Sequence, residues 1–175
     1  AYYYSAYLND YVVLQCSPVG IVTKDADLSE GLVLDAGSVK VTDGKDEYDI
    51  IQGPVNHVNK EYKELEFKLT KDNADVVMQF RVSNDGMAYR YLVDADRTQD
   101  NESVSITSEA SSFVLPDGGT IWTNSPSATY EGGRYEKRAM AQVKSSNASY
   151  SAPILAEIPA ANGAWALLSE ASVYN

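Results

Sequence analysis

Apolar and polar positions alternate with a period of two along much of the chain, the spacing that buries one face of a β-strand. Glu64 to Thr70, ELEFKLT, sets Leu65, Phe67 and Leu69 on one face and Glu64, Glu66 and Lys68 on the other. Val76, Met78, Phe80 and Val82 continue the pattern, as do Met87, Tyr89, Tyr91 and Val93. Pairing Val82 with Met87, Phe80 with Tyr89 and Met78 with Tyr91 puts every apolar side chain of the two runs on one side. A slip of one residue would destroy that arrangement. Ser83-Asn84-Asp85-Gly86 between them is a hairpin turn of residue types that tolerate positive φ. Arg81, Gln79 and Arg90 share the opposite face, which therefore meets water or acids. Glu109 is a candidate partner for these arginines.

The same reading predicts a hairpin from Tyr2–Tyr7 and Tyr11–Gln15 around Leu8-Asn9-Asp10. It predicts further strands at Ser103–Thr107, Ser111–Leu115, Gly119–Thr123, Ala152–Ile158 and Ala164–Glu170. Helical spacing is weak and confined to Glu136–Val143 and Asp25–Gly31. The expected fold is therefore all-β, a sandwich of antiparallel sheets forming a single domain over residues 1–175, without internal repeat or linker. Its least regular stretch is Ser125 to Gln142, SPSATYEGGRYEKRAMAQ, and long irregular segments in compact β domains often carry function.

Composition narrows the chemistry. With 14 Lys and Arg against 25 Asp and Glu, the net charge of −11 repels a phosphate backbone, and Arg134, Lys137 and Arg138 are the densest basic cluster. Nucleic acid is not an expected partner. No apolar run is long enough to span a membrane. Cys16 is the single cysteine and His57 the single histidine, which excludes an internal disulfide and a cysteine-built zinc site. His57, in the polar stretch GPVNHVN, reads as a surface residue. The chain opens on Ala1 rather than Met, as a processed or excised segment would.

Asp94, Asp96, Asp100 and Glu102 lack the glycine and distal glutamate of a calcium-binding EF-hand loop and read as a solvated connection. TYEGGRYEK differs, because Tyr130, Glu131, Tyr135 and Glu136 gather aromatic faces and acids around two glycines. Such a set suits sugars, and its carboxylates suit calcium. The alternative is a glycine turn whose tyrosines cover a sheet edge and whose acids are solvated.

Several marks, read in order, resemble the N-terminal domain of glycoside hydrolase family 97. They are SPVGI (17–21), VNKEYKELEFKL (58–69), FRVSNDGMAYRY (80–91), SEASSF (108–113), TIW (120–122), TYEGGRY (129–135), SAP (151–153) and LLSEASVY (167–174). The resemblance implies a β-supersandwich related to galactose-mutarotase folds, joined in the parent chain to a (β/α)8 barrel and a small C-terminal β domain. It implies hydrolysis of α-glucosides or α-galactosides, with inversion or retention, by catalytic residues in the barrel. None of those catalytic residues is expected here, and the chain resembles a fragment that lacks its first strands and the barrel.

The same resemblance implies a calcium ion near the sugar pocket, with Glu131 as the best match to the family's N-terminal ligand and Glu136 in reserve. The basic residues beside Glu131 would oppose a cation unless they point away. A periplasmic or extracellular location follows from the resemblance alone. Two readings compete with an enzyme part: a freestanding carbohydrate-binding sandwich with Trp122, Tyr130 and Tyr135 as its sugar platform, and a purely structural interaction module.

Overall fold

A computed structural model describes residues 1–53, 55–72, 74–93, 104–127 and 133–170. Two compact units emerge, one of residues 1–2 and 19–111, the other of residues 3–18 and 112–175.

The first unit is built on a four-stranded antiparallel sheet of β5 (Val33–Asp49), β6 (His57–Lys71), β7 (Ala74–Ser83) and β8 (Gly86–Val93), in that spatial order. The β7–β8 register is the one that alternation predicts, with Met78 opposite Tyr91, Phe80 opposite Tyr89 and Val82 opposite Met87. Met78 is 0% exposed and Val76 and Leu69 are buried beside it. Along the same face Phe67 stacks on Phe80 at 6.2 Å, Phe80 meets Tyr89 at 5.6 Å, and Tyr89 meets Tyr91 edge-on at 5.9 Å. Aromatic pairs in these geometries add to the apolar burial they accompany.

The turn departs from expectation in one respect. Among the described residues, left-handed backbone at non-glycine positions occurs at Asn9, Asp72 and Asn162, not at Asn84 or Asp85. Side chains close this hairpin instead: the Ser83 hydroxyl donates to Asp85 at 2.7 Å, and Lys60 reaches the same carboxylate from β6.

On the polar face Arg81 donates to Glu64 at 3.0 Å and to Asp46 at 3.2 Å, and its guanidinium lies 3.9 Å from the centre of the Tyr62 ring. Arg90 donates to Gln79 at 2.7 Å. The expected partner Glu109 stands elsewhere, opposite Ile21 in a three-stranded sheet of β4 (Asp27–Leu28), β3 (Ile21–Thr23) and β9 (Ile106–Glu109). Cross-strand neighbours on β5 and β6 reach Arg81 first because their register fixes them beside it.

Helical expectation fails at Asp25–Gly31. The Thr23 hydroxyl accepts from the amide of Ala26 at 3.0 Å and closes a tight turn that leads into β4. β5 was not anticipated, since its polar sequence with two glycines hides the alternation. It is held by thirteen register pairs with β6 around an irregularity between Asp35 and Lys40, where the Ser38 hydroxyl accepts from the Lys68 amide at 2.7 Å.

Tyr91 ties β8 to the polypeptide after β2. Its hydroxyl accepts from the Gly20 amide at 2.7 Å and shares a hydrogen bond with Ser111. Burial pushes the phenol up to about 12, against the opposing pull of those two hydrogen bonds. The folded chain therefore holds this proton more tightly than the unfolded one. The stability it contributes is complete below pH 10 and is lost as pH rises towards 12. Tyr91→Phe is expected to cost about 1–2 kcal/mol at neutral pH. Urea midpoints of the two proteins should converge as pH is raised through that window, and a constant gap would remove the assignment.

The second unit contains the hairpin β1 (Tyr2–Leu8) and β2 (Tyr11–Val19), which turns at Asn9 with φ 52°. It also holds a four-stranded antiparallel sheet in the order β11 (Glu136–Ala139), β10 (Thr120–Asn124), β12 (Ser151–Ile158), β13 (Ala164–Leu168). The helix expected over Glu136–Val143 is divided: Glu136–Ala139 pair with β10, and only Met140–Ser145 form a helix, α1. The open ladder of β10 claims the first four residues, since an edge strand left unpaired wastes its amides and carbonyls. Met140 then drops into the core with Leu14, Leu115, Ile121, Ala156 and Ile158. Ser111–Leu115 is not a regular strand; it meets β2 through the Val114–Gln15 bridge and through the Ser112 amide, which donates to the Pro18 carbonyl at 3.1 Å.

Candidate functional site

Register assigns the faces of the second unit's sheet. Ile121, Thr123, Ala156 and Ile158 are buried on one side. The other side carries two cross-strand rows, Ala139–Thr120–Glu157–Trp165 and Lys137–Trp122–Leu155–Leu167. Trp122 and Trp165 meet diagonally, ring centres 4.9 Å apart and planes inclined by 36°. The Lys137 ammonium lies 5.3 Å from the centre of the Trp122 ring, a cation–π contact that helps fix that ring. Trp165 is 54% exposed and Leu167 67%.

Trp122, expected in a sugar platform, is thus a half-buried ring that supports a second tryptophan. Tyr135 stands immediately before β11 and is 50% exposed. Tyr130 and Glu131 lie outside the described residues. Trp165 was not singled out in the sequence, although its spacing from Leu167 within AWALL was the available signal: residues two apart on a strand share a face.

β10 ends at Asn124 and β11 begins at Glu136. A β-carbon on Gly133 would lie 2.6 Å from Asn124 Nδ2, so Asn124 and Gly133 are neighbours. Three buried polar atoms without a hydrogen-bond partner occur here, Thr123 Oγ1, Asn124 Oδ1 and Arg138 Nε. They sit on β10 and β11, where Thr123 is opposite Glu136 and Ile121 opposite Arg138. Thr123 is 0% exposed, and orphaned buried polar atoms of this kind call for a partner.

Glu136 is engaged by the Arg138 guanidinium in an ion pair. Arg138 also faces the Tyr150 ring at 5.7 Å. A carboxylate so occupied makes a poor calcium ligand. Among the described residues no group of three His, Cys, Asp or Glu is gathered closely enough to hold a metal ion. The unpartnered oxygens of Thr123 and Asn124 are of the hard, neutral kind that calcium accepts, and a charged ligand would have to come from elsewhere. His57 begins β6, exposed, with Nδ1 2.8 Å from Asp49 and Nε2 3.5 Å from Glu47.

Fold and site together define an all-β chain of several antiparallel sheets, one of which carries an aromatic pair on an open face. The chain belongs to the N-terminal domain family of glycoside hydrolase family 97: the Glycosyl-hydrolase 97 N-terminal model matches residues 1–175. A probable retaining alpha-galactosidase of Streptomyces bingchenggensis (strain BCW-1) is 31% identical over 147 residues, covering 75% of this chain and 22% of the relative. The fold is shared with a beta-arabinopyranosidase at TM-score 0.74, with 23% identity, 93% of this chain and 27% of that one. It is shared too with a glycoside hydrolase family 97 enzyme from Pseudoalteromonas sp. strain K8, determined with acarbose, at TM-score 0.71, with 16% identity, 89% of this chain and 23% of that one. The chain therefore spans about a quarter of the length of the proteins it matches.

Proposed function

We propose that residues 1–175 form a non-catalytic N-terminal domain of a calcium-dependent α-glycoside hydrolase, packed on a (β/α)8 barrel of the same polypeptide. The family match along the whole chain carries this reading. The relative's name favours an α-galactoside as substrate over an α-glucoside. Because the chain covers only 22% of that relative, ample polypeptide is left to hold the catalytic acid and base.

Glu131 is the carboxylate that this domain lends to calcium, with the Asn124 side-chain oxygen as its neutral companion. Calcium, when bound, supplies positive charge beside the sugar pocket. What supports this assignment is the pair of unpartnered oxygens at the root of segment 125–132 and the engagement of Glu136 by Arg138.

The test uses the full-length polypeptide, assayed on aryl α-galactosides and α-glucosides over a calcium titration. Glu131→Gln is expected to raise the calcium concentration for half-maximal activity about tenfold or more, since removing a charged ligand weakens an oxygen site strongly. Glu136→Gln is expected to leave it unchanged. Equal calcium dependence in wild type and Glu131→Gln would overturn the assignment.

A further inference from the structure

We infer that Asn162 is a latent deamidation site, which the folded turn between β12 and β13 shields and any opening of that turn releases. Asn162-Gly163 is the single Asn-Gly pair in the chain. Both residues are exposed, and a β-carbon placed on Gly163 would meet nothing within 4 Å. Glycine leaves its own amide nitrogen sterically open to the preceding side chain, and water is at hand. Sequence and exposure alone would make this the most labile amide of the chain.

Backbone geometry opposes the reaction. Asn162 is left-handed, with φ 56° and ψ 36°, and Gly163 follows with φ +73°. Asparagine tolerates that conformation better than most residues, which is why the turn can carry it. Substituents on the tetrahedral Cα are spaced by about 120°, so at this ψ the Gly163 nitrogen lies nearly anti to Asn162 Cβ across the Cα–C bond. Ring closure needs the two on the same side. The nitrogen is also engaged: the amides of Asn162 and Gly163 both donate to the Pro159 carbonyl, the latter at 3.4 Å.

When the turn opens, rotation about ψ brings the Gly163 nitrogen to Asn162 Cγ. The N–Cγ bond forms, the nitrogen loses its proton, and the side-chain amide departs as ammonia, leaving a five-membered imide. Water then adds across one of the two C–N bonds of the imide. Cleavage at the side-chain carbonyl leaves aspartate, and cleavage at the backbone carbonyl routes the main chain through Cγ and leaves isoaspartate. Either product adds one negative charge to a chain of net charge −11. Isoaspartate also inserts a carbon into the main chain between Ile158 and Ala164, which are paired in register. The change is irreversible, so chains whose β12–β13 hairpin has opened become marked.

The chain is incubated at mildly alkaline pH in its folded state and, in parallel, unfolded in concentrated guanidinium chloride. Aspartate and isoaspartate at position 162 are quantified by peptide mapping with mass spectrometry. The unfolded chain is expected to react about tenfold faster or more, a ratio that reports how seldom the turn opens. Gly119→Ala, whose added β-carbon would press on Glu157 and Pro159 at the base of this turn, is expected to raise the rate in the folded chain towards the unfolded value. Asn162→Gly keeps the left-handed turn, so it is expected to abolish the modification and leave the urea midpoint nearly unchanged.

Equal rates in the folded and unfolded chain overturn the inference, because the turn then gives no protection. Faster reaction of another asparagine in the unfolded chain overturns it as well. So does a Gly119→Ala chain that is less stable yet reacts no faster when folded, since opening would then not be the release. None of these outcomes alters the calcium response that tests Glu131.

Discussion

Gly119→Ala is expected to destabilise the second unit by about 3 kcal/mol or more, the sum of backbone strain and overlap that cannot be relieved. Gly119 has φ +87°, a conformation that costs little only without a β-carbon. The added carbon would lie 2.2 Å from the carbonyl oxygen of Glu157 and 2.7 Å from Pro159 Cδ. Neither neighbour can swing aside as a flexible side chain could. Glu157 is opposite Thr120 in the β10–β12 ladder, so retreat would open the centre of the sheet and disturb the row that ends in Trp165. Gly118 is the internal control: it has φ +83° with nothing within 4 Å of the added carbon. Gly118→Ala should therefore show the backbone strain alone, about 1–2 kcal/mol. Urea midpoints of the two variants should differ clearly, and equal midpoints would mean that the close approach to Glu157 is absent in solution.

The second large effect is expected in the first unit. Met78 has no exposed surface, lies between Phe67 on β6 and Tyr91 on β8 in register, and shares their face. Met78→Ala leaves a cavity that two aromatic neighbours on fixed strands close incompletely, at a cost of about 2–5 kcal/mol. Met78→Leu keeps most of the volume and should cost less than about 1.5 kcal/mol. Equilibrium urea unfolding distinguishes the two. A Met78→Ala protein as stable as Met78→Leu would show that the site can collapse and that the stacked aromatic row is not rigid. Because Tyr91 bonds to Gly20 and Ser111, the two variants also report on whether that tie survives loosening of the sheet beneath it.

β7 and β8 were legible to the residue. Their apolar positions alternate without interruption and only one register puts all of them on one face, so local spacing specifies a tertiary feature. β6 was legible in type but not in length, since only Glu64–Thr70 of His57–Lys71 alternates cleanly. β5 escaped because its side chains are largely polar on both faces: it is placed by pairing with β6, and a partner's hydrogen bonds leave no mark in a strand's own sequence. β11 escaped for the same reason, since a helical spacing over Glu136–Val143 yielded at its first four residues to the unpaired edge of β10.

The candidate site divides along the same line. Family membership was visible in short motifs, because residue types at fixed spacings survive in one dimension. The ion pair that occupies Glu136, the supporting position of Trp122 and the exposure of Trp165 were not. Each depends on which strand lies alongside which: Trp122 and Trp165 are 43 positions apart and meet only because β12 lies between β10 and β13. Sequence alone determined strand periodicity, the sidedness of the central hairpin and the family, all properties of neighbouring residues. Tertiary structure decided strand order, and with it which face stays open and which rings stand on it, because pairing between distant strands is set by the whole ladder and core rather than by any one segment.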